Sequence, residues 1–164
     1  MRTLLPGIAM VLLMLSGLGA RALTAQSSGA TLPPDPTVGQ WRLNLEKSKY
    51  ETPAPKSMTV TIVPTTRGYA FTIEAIGADG QAQKWGYTSA FDGAVTPVTG
   101  AAGIDSVVAS SSGAGTTVIY KRAGNVITTT TSVLSDDGRT LVVTAKIPGG
   151  PGKEFTNVSV YERQ

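Results

Sequence analysis

From Val38 to the end of the chain, apolar and polar residues alternate with a period of two. Trp41, Leu43 and Leu45 fall on one parity, Arg42 and Asn44 on the other. Met58, Val60 and Ile62 alternate with Thr59 and Thr61, and Tyr69, Phe71, Ile73 and Ala75 with Thr72 and Glu74. Trp85, Tyr87 and Phe91 oppose Lys84, Gly86 and Thr88, while Leu141, Val143, Ala145 and Ile147 oppose Thr144 and Lys146. Successive side chains of a strand point to opposite faces, so this is the signature of half-buried antiparallel strands. The Thr-rich stretch from Thr128 to Thr131 adds strong β propensity and poor helix propensity. Asp79-Gly80, Asp92-Gly93, Asp137-Gly138 and Ala123-Gly124-Asn125 each separate two strand candidates and supply the positive φ of tight hairpins. Pro148-Gly149-Gly150-Pro151-Gly152 forms a longer loop before the last strand. No sustained helical periodicity appears here, although Leu45 to Tyr50 admits a turn or two. The pattern predicts an all-β chain, a meander of roughly eight to ten short strands. Such a meander closes into an antiparallel up-and-down β-barrel more readily than into a sandwich, and closure removes exposed edges. The strand register across residues 101 to 116 is not set by the pattern.

The N-terminus reads differently. Arg2 precedes the apolar run from Leu4 to Leu15, and Gly17-Leu18-Gly19-Ala20-Arg21-Ala22 follows. A basic start, an apolar core and an Ala-x-Ala site predict a secretory signal peptide over residues 1 to 22. The alternative is a membrane anchor. The run is shorter than the ~20 residues a spanning helix needs, and Pro6 and Gly7 interrupt it. Residues 23 to 37, rich in Ser, Thr, Ala and Pro, bury little apolar surface and read as a disordered tether. The barrel domain is expected over 38 to 164, exported to the periplasm or the outside and not membrane-spanning.

The chain contains no His and no Cys. This excludes Ser-His-Asp and Cys-His nucleophile systems, imidazole bases, His-bound zinc, disulfides and thiolate clusters. The acids are scattered, and Asp79, Asp92, Asp136 and Asp137 are turn residues. Glu74, mid-strand, shares the outward face of Thr72. Paired acid–base chemistry needs two carboxylates facing one cleft. Asp136-Asp137-Gly138 lacks the alternating oxygen ligands of a calcium loop. Ser110 to Gly115 lacks the Lys of a phosphate loop and precedes a strand. Loss of Arg2 and Arg21 with the signal peptide lowers the formal charge from +3 to +1. The densest basic spots are only Lys47 with Lys49 and Lys121 with Arg122, too sparse for a phosphate-binding surface. No enzyme, metal, cofactor or nucleic-acid partner is expected. Asn157-Val158-Ser159 is a formal glycosylation sequon, but it lies within a predicted strand.

Two stretches resemble the calycins, the group that includes lipocalins, fatty-acid-binding proteins and avidins. Gly39-Gln40-Trp41-Arg42-Leu43 matches the G-x-W start of the first barrel strand. Asn157 to Arg163 is similar to the last strand of fatty-acid-binding proteins. Between them, Lys47-Ser48-Lys49-Tyr50, Pro55-Lys56-Ser57, Phe91-Asp92-Gly93 and Pro97-Val98-Thr99-Gly100 look like uncharacterised, lipocalin-like exported proteins of bacteria. Two departures matter. The Arg-x-Tyr pair that grips a carboxylate in fatty-acid-binding proteins reads Ser159-Val160-Tyr161 here, so the cation is missing. Residues 46 to 57 contain Pro53 and Pro55, so a lid helix there is short or absent. The resemblance also implies a structural pairing that closes the barrel floor: Arg163 stacked on Trp41 within about 6 Å.

Parity and resemblance together place Phe155, Asn157, Ser159, Tyr161 and Arg163 on the inward face of the last strand. Tyr69, Phe71, Trp85, Tyr87, Ser159 and Tyr161 are the expected lining of one interior volume. A barrel so lined suits a small hydrophobic or amphipathic ligand. The alternative is a barrel filled by the same side chains, acting as a structural or protein-interaction domain of the cell envelope. The pattern leaves the oligomeric state open. Cleavage after Ala22 or Ala25 is expected to release a product with no lipid anchor. Intact-mass measurement of the exported form checks this, and residues 1 to 20 retained in membranes would contradict it.

Overall fold

The computed structural model describes residues 35–113 and 115–164. The expected signal peptide and most of the expected tether lie outside the described residues. Ten strands follow one another: β1 (Gly39–Lys49), β2 (Ser57–Thr65), β3 (Gly68–Ile76), β4 (Ala82–Ser89) and β5 (Asp92–Pro97), then β6 (Ser106–Ser112), β7 (Gly115–Arg122), β8 (Asn125–Leu134), β9 (Thr140–Pro148) and β10 (Glu154–Arg163). They form one antiparallel sheet in the order β4-β3-β2-β1-β10-β9-β8-β7-β6-β5. Sequence neighbours pair as hairpins except at β4–β5, and the first strand pairs with the last. The outer strands of this order, β4 and β5, are brought together by a two-bond bridge. Gly86 N–H donates to the Thr99 carbonyl at 2.9 Å, and Thr99 N–H returns to Gly86 at 3.0 Å. The result is a nearly closed up-and-down barrel of the expected class, with no helix among the described residues.

The floor of the barrel is closed by one cation. Arg163, at the end of β10, lies with its guanidinium carbon 4.3 Å from the centre of the Trp41 ring. Its nitrogens donate to three carbonyls: Nε to Gly138 at 2.8 Å, Nη1 to Val38 at 2.7 Å and Nη2 to Pro36 at 2.5 Å. These belong to the β8–β9 turn and to the segment before β1, so a single side chain ties three parts of the chain together. Trp41 is fully buried, and its indole N–H donates to the Thr37 carbonyl at 2.7 Å. Gly39 is needed here for two reasons. Its φ is +136°, and a Cβ at that position would stand 2.9 Å from Arg163 Nη1. The glycine of the G-x-W triplet therefore makes room for the arginine that stacks on its tryptophan. Leu43, Ile62, Tyr69, Leu141 and Tyr161 pack around this pair as a buried cluster.

Four local expectations are corrected. Leu45 shares the parity of Trp41 and Leu43 but is 40% exposed. Pairing of β1 with β10 slips between Asn44 and Lys49, where it resumes opposite Val158, so Leu45 falls in the bulge and loses its face. The stretch proposed for a helical turn is this bulged strand. Ser48 Oγ takes the place of a backbone acceptor there, receiving the Val160 N–H at 2.9 Å. Asp92-Gly93 does not form a hairpin turn but lies inside β5 as a bulge, with register shifting between Asp92 and Val95. The chain reverses one step earlier, at Ala90 and Phe91, where Phe91 adopts φ +58°. Finally, Asp35 to Thr37, expected to end the tether, are held against the floor. The Asp35 carboxylate accepts from Thr37 N–H and Oγ1, at 2.8 and 2.6 Å, and Pro36 is an Arg163 partner.

Replacing Arg163 by Lys removes the planar stacking surface and the fork that reaches three carbonyls at once. We expect a loss of about 2–3 kcal/mol of unfolding free energy. A lower urea midpoint at an unchanged m-value checks this. An unaltered midpoint would show the clasp to be dispensable.

A candidate ligand-binding cavity inside the barrel

Above the floor the barrel interior holds a partly open cavity of about 300 Å³. One wall comes from β2, β3 and β4, whose inward parity carries Met58, Val60, Phe71, Ile73, Trp85 and Tyr87. The rings are ordered against one another. Phe71 stacks on Tyr87 with centroids 4.7 Å apart and planes 10° from parallel. Trp85 meets Tyr120 of β7 edge-on at 5.7 Å. The facing wall is richer in hydroxyls: Thr116 and Tyr120 on β7, then Thr128, Thr130 and Ser132 on β8. Ser159 and Tyr161 from β10, with Val143 and Ala145 from β9, complete the lining.

Burial pushes the phenol of Tyr87 well up, reinforced by the neighbouring Tyr120. Tyr120 is also pushed up by burial, offset in part by its hydrogen bonds with Tyr87 and Thr130. Tyr161 is raised for the same reason, removal from water, with nearby phenols adding to it. All three remain neutral donors across the physiological range. Tyr161 Oη donates to Met58 Sδ at 2.9 Å, joining β10 to β2 across the interior.

Five of the six residues expected to line one volume do so: Phe71, Trp85, Tyr87, Ser159 and Tyr161. Tyr69 does not. It stands near the start of β3 at floor level, packs in the cluster around Trp41, and faces an adjoining hollow of about 420 Å³ that shares Thr37, Phe91, Thr116, Ser132 and Leu141 with the cavity. Phe91, 5.8 Å from the rings of both Tyr69 and Phe71, lines the cavity and this hollow alike. The hydroxyl wall of β7 and β8 was not among the expected residues. Its signal was present, because Thr116, Val118 and Tyr120 share one parity, as do Thr128, Thr130 and Ser132. Threonine reads equally well as an outward residue, so parity alone did not select a face.

At the end of the barrel away from Trp41, the segment between β1 and β2 is tied to β10. No helix forms there, and inward-pointing residues of β10 hold it. Asn157, 7% exposed, accepts the Glu51 N–H at 2.9 Å and donates to Thr52 Oγ1 at 2.7 Å. Ser159 Oγ and Tyr50 Oη are 2.7 Å apart. The sequon asparagine is thus a buried structural residue whose amide is already engaged. The acids stand on the outside: Glu74 pairs with Lys84, Glu162 with Lys47 and Glu154 with Lys146, all exposed.

The barrel has a calycin-like fold with a partly open, apolar-and-hydroxyl cavity in its interior. No protein-family model matches the chain, and no curated protein matches it. Solved structures do. The crystal structure of a mutant of the fluorescent protein UnaG is similar, with 18% identity and a TM-score of 0.52, covering 79% of this chain and 96% of that one. Wild-type UnaG gives 16% identity and a TM-score of 0.49, covering 77% and 96%. The likeness to the mutant is one of fold alone.

Asn157 Oδ1 also accepts the Thr52 N–H at 3.3 Å, so replacing Asn157 by Ala leaves the Glu51 and Thr52 amides without their acceptor. The unmet donors are expected to cost about 1–3 kcal/mol. Faster hydrogen exchange at those two amides, with β8 and β9 unaffected, is the expected reading.

Proposed function

We propose that this is an exported binding protein that holds a small hydrophobic or amphipathic molecule inside its barrel and performs no catalysis on it. The cavity carries this reading. Its volume of about 300 Å³ stands at the lower end of the roughly 300–1,000 Å³ typical of ligand pockets. Stacked and edge-on rings offer a large rigid contact area at low entropic cost. Hydroxyls on the facing wall supply a few orienting polar contacts, as ligand pockets require. The lack of His and Cys and the outward, ion-paired acids support binding over catalysis. Export, to the periplasm or beyond, is supported by the basic start, apolar run and Ala-x-Ala site at the N-terminus.

Tyr87 and Lys84 give a matched test, because they lie on opposite faces of the same strand. Tyr87 lines the cavity, while Lys84 pairs with Glu74 outside. Tyr87→Ala is expected to weaken binding of an apolar fluorescent probe about tenfold, the loss of a stacked ring worth ~1.5 kcal/mol. Lys84→Ala should leave it within twofold. Equal effects, or no probe binding to the unaltered protein, would favour the alternative of a filled barrel serving as a structural or interaction domain.

A further inference from the structure

The lining of the cavity bears on the charge state of the ligand it can hold. We infer that the cavity selects electrically neutral, ring-bearing molecules with a hydroxyl or carbonyl group, and discriminates against anions of the same shape. The inference rests on the binding reading above and deepens it.

No Asp, Glu, Lys or Arg lines the cavity among the described residues. Outside those residues the only charged side chains of the sequence are Arg2 and Arg21, both within the expected signal peptide. The cations that come near are committed elsewhere. Arg163 serves three carbonyls and an indole at the floor. Lys84 and Arg67 border a different hollow, a groove of about 740 Å³ beside the Gly86–Thr99 bridge. Phe71, Trp85 and Tyr87 form the wall between that groove and the interior. Lys84 is also held by Glu74 at 2.9 Å. An anion entering the cavity would therefore give up its hydration with no cation to replace it.

Hydroxyls, in contrast, are placed to recognise a neutral polar group. Each is one donor and two acceptors, so it satisfies a ligand hydroxyl or carbonyl equally. Ser132 spends its proton only on a long contact of 3.4 Å to the Thr116 carbonyl, so its lone pairs remain for a donor in the cavity, while Thr130 is shared between the Val118 carbonyl at 3.4 Å and the Tyr120 phenol. The parallel rings of Phe71 and Tyr87, with Trp85 and Tyr120 at right angles beyond them, fit a flat ring system better than a flexible chain.

N-phenyl-1-naphthylamine and 8-anilino-1-naphthalenesulfonate share one skeleton and differ by a sulfonate, so they isolate the charge. Fluorescence titration of the unaltered protein is expected to show saturable binding of the neutral amine, weakened at least tenfold by Tyr87→Ala. The sulfonate should bind at least tenfold more weakly at the site from which the amine displaces it. Competition separates the interior from the outer groove beside Lys84 and Arg67. Displaceable sulfonate binding as tight as the amine would overturn the charge selection while leaving the cavity reading intact. Failure of both probes to bind would overturn the cavity reading itself, and the inference with it. A second pair, decanol against decanoate as competitors of the amine, should show the same order; an equal or reversed order would also overturn it.

Discussion

A half-buried guanidinium must find partners for its N–H groups, and the way Arg163 does so organises the rest of the barrel. Its three carbonyls come from the segment before β1 and from the β8–β9 turn, and its flat face covers Trp41. All of these contacts require β10 to lie beside β1 in the register that pairs Trp41 with Arg163. That register sets both ends of the described chain in the middle of the sheet. The sheet's free edges then belong to β4 and β5, which meet across a bridge of two backbone bonds. With no disulfide to fall back on, closure by backbone pairing and one buried stack is the means of stabilisation the chain has.

The two ends of the barrel are consequently built on different principles. The floor is packed and aromatic around a cation whose hydrogen bonds are met. At the other end the segment after β1 is held by polar side chains of β10, Asn157 and Ser159. Between them the interior is graded, with rings on β3 and β4 facing hydroxyls on β7 and β8. Formal charge is kept outside in exposed ion pairs, each contributing little to stability. Their consequence is chemical: the interior is neutral, and its polarity resides in groups that burial keeps protonated.

Much of this was legible in the sequence, and the reason is local. A strand presents alternate residues to alternate faces whatever its neighbours are, so inward positions such as Phe71, Trp85, Tyr87 and Tyr161 follow from periodicity once the strand is recognised. The G-x-W triplet and the final arginine are likewise short-range marks, at the two ends of the domain, of one contact. Parity failed where the ladder slipped. Leu45 lost its face to the bulge after Asn44, and Asp92-Gly93 became a bulge because the reversal had already occurred at Phe91. Threonine's indifference to burial hid the hydroxyl wall.

The sequence by itself determined the all-β class, the order of strands as hairpins and the inward parity of most aromatic residues, because each follows from backbone geometry within a few residues. Only the tertiary structure decided which inward residues share a volume. Tyr69 and Phe71 have the same parity on the same strand, yet one packs at the floor and the other walls the cavity. That difference is one of height along the barrel axis, which is set by the register between strands far apart in sequence. Whether the interior is filled or hollow is likewise a property of the whole circumference: it depends on how side chains from opposite walls meet.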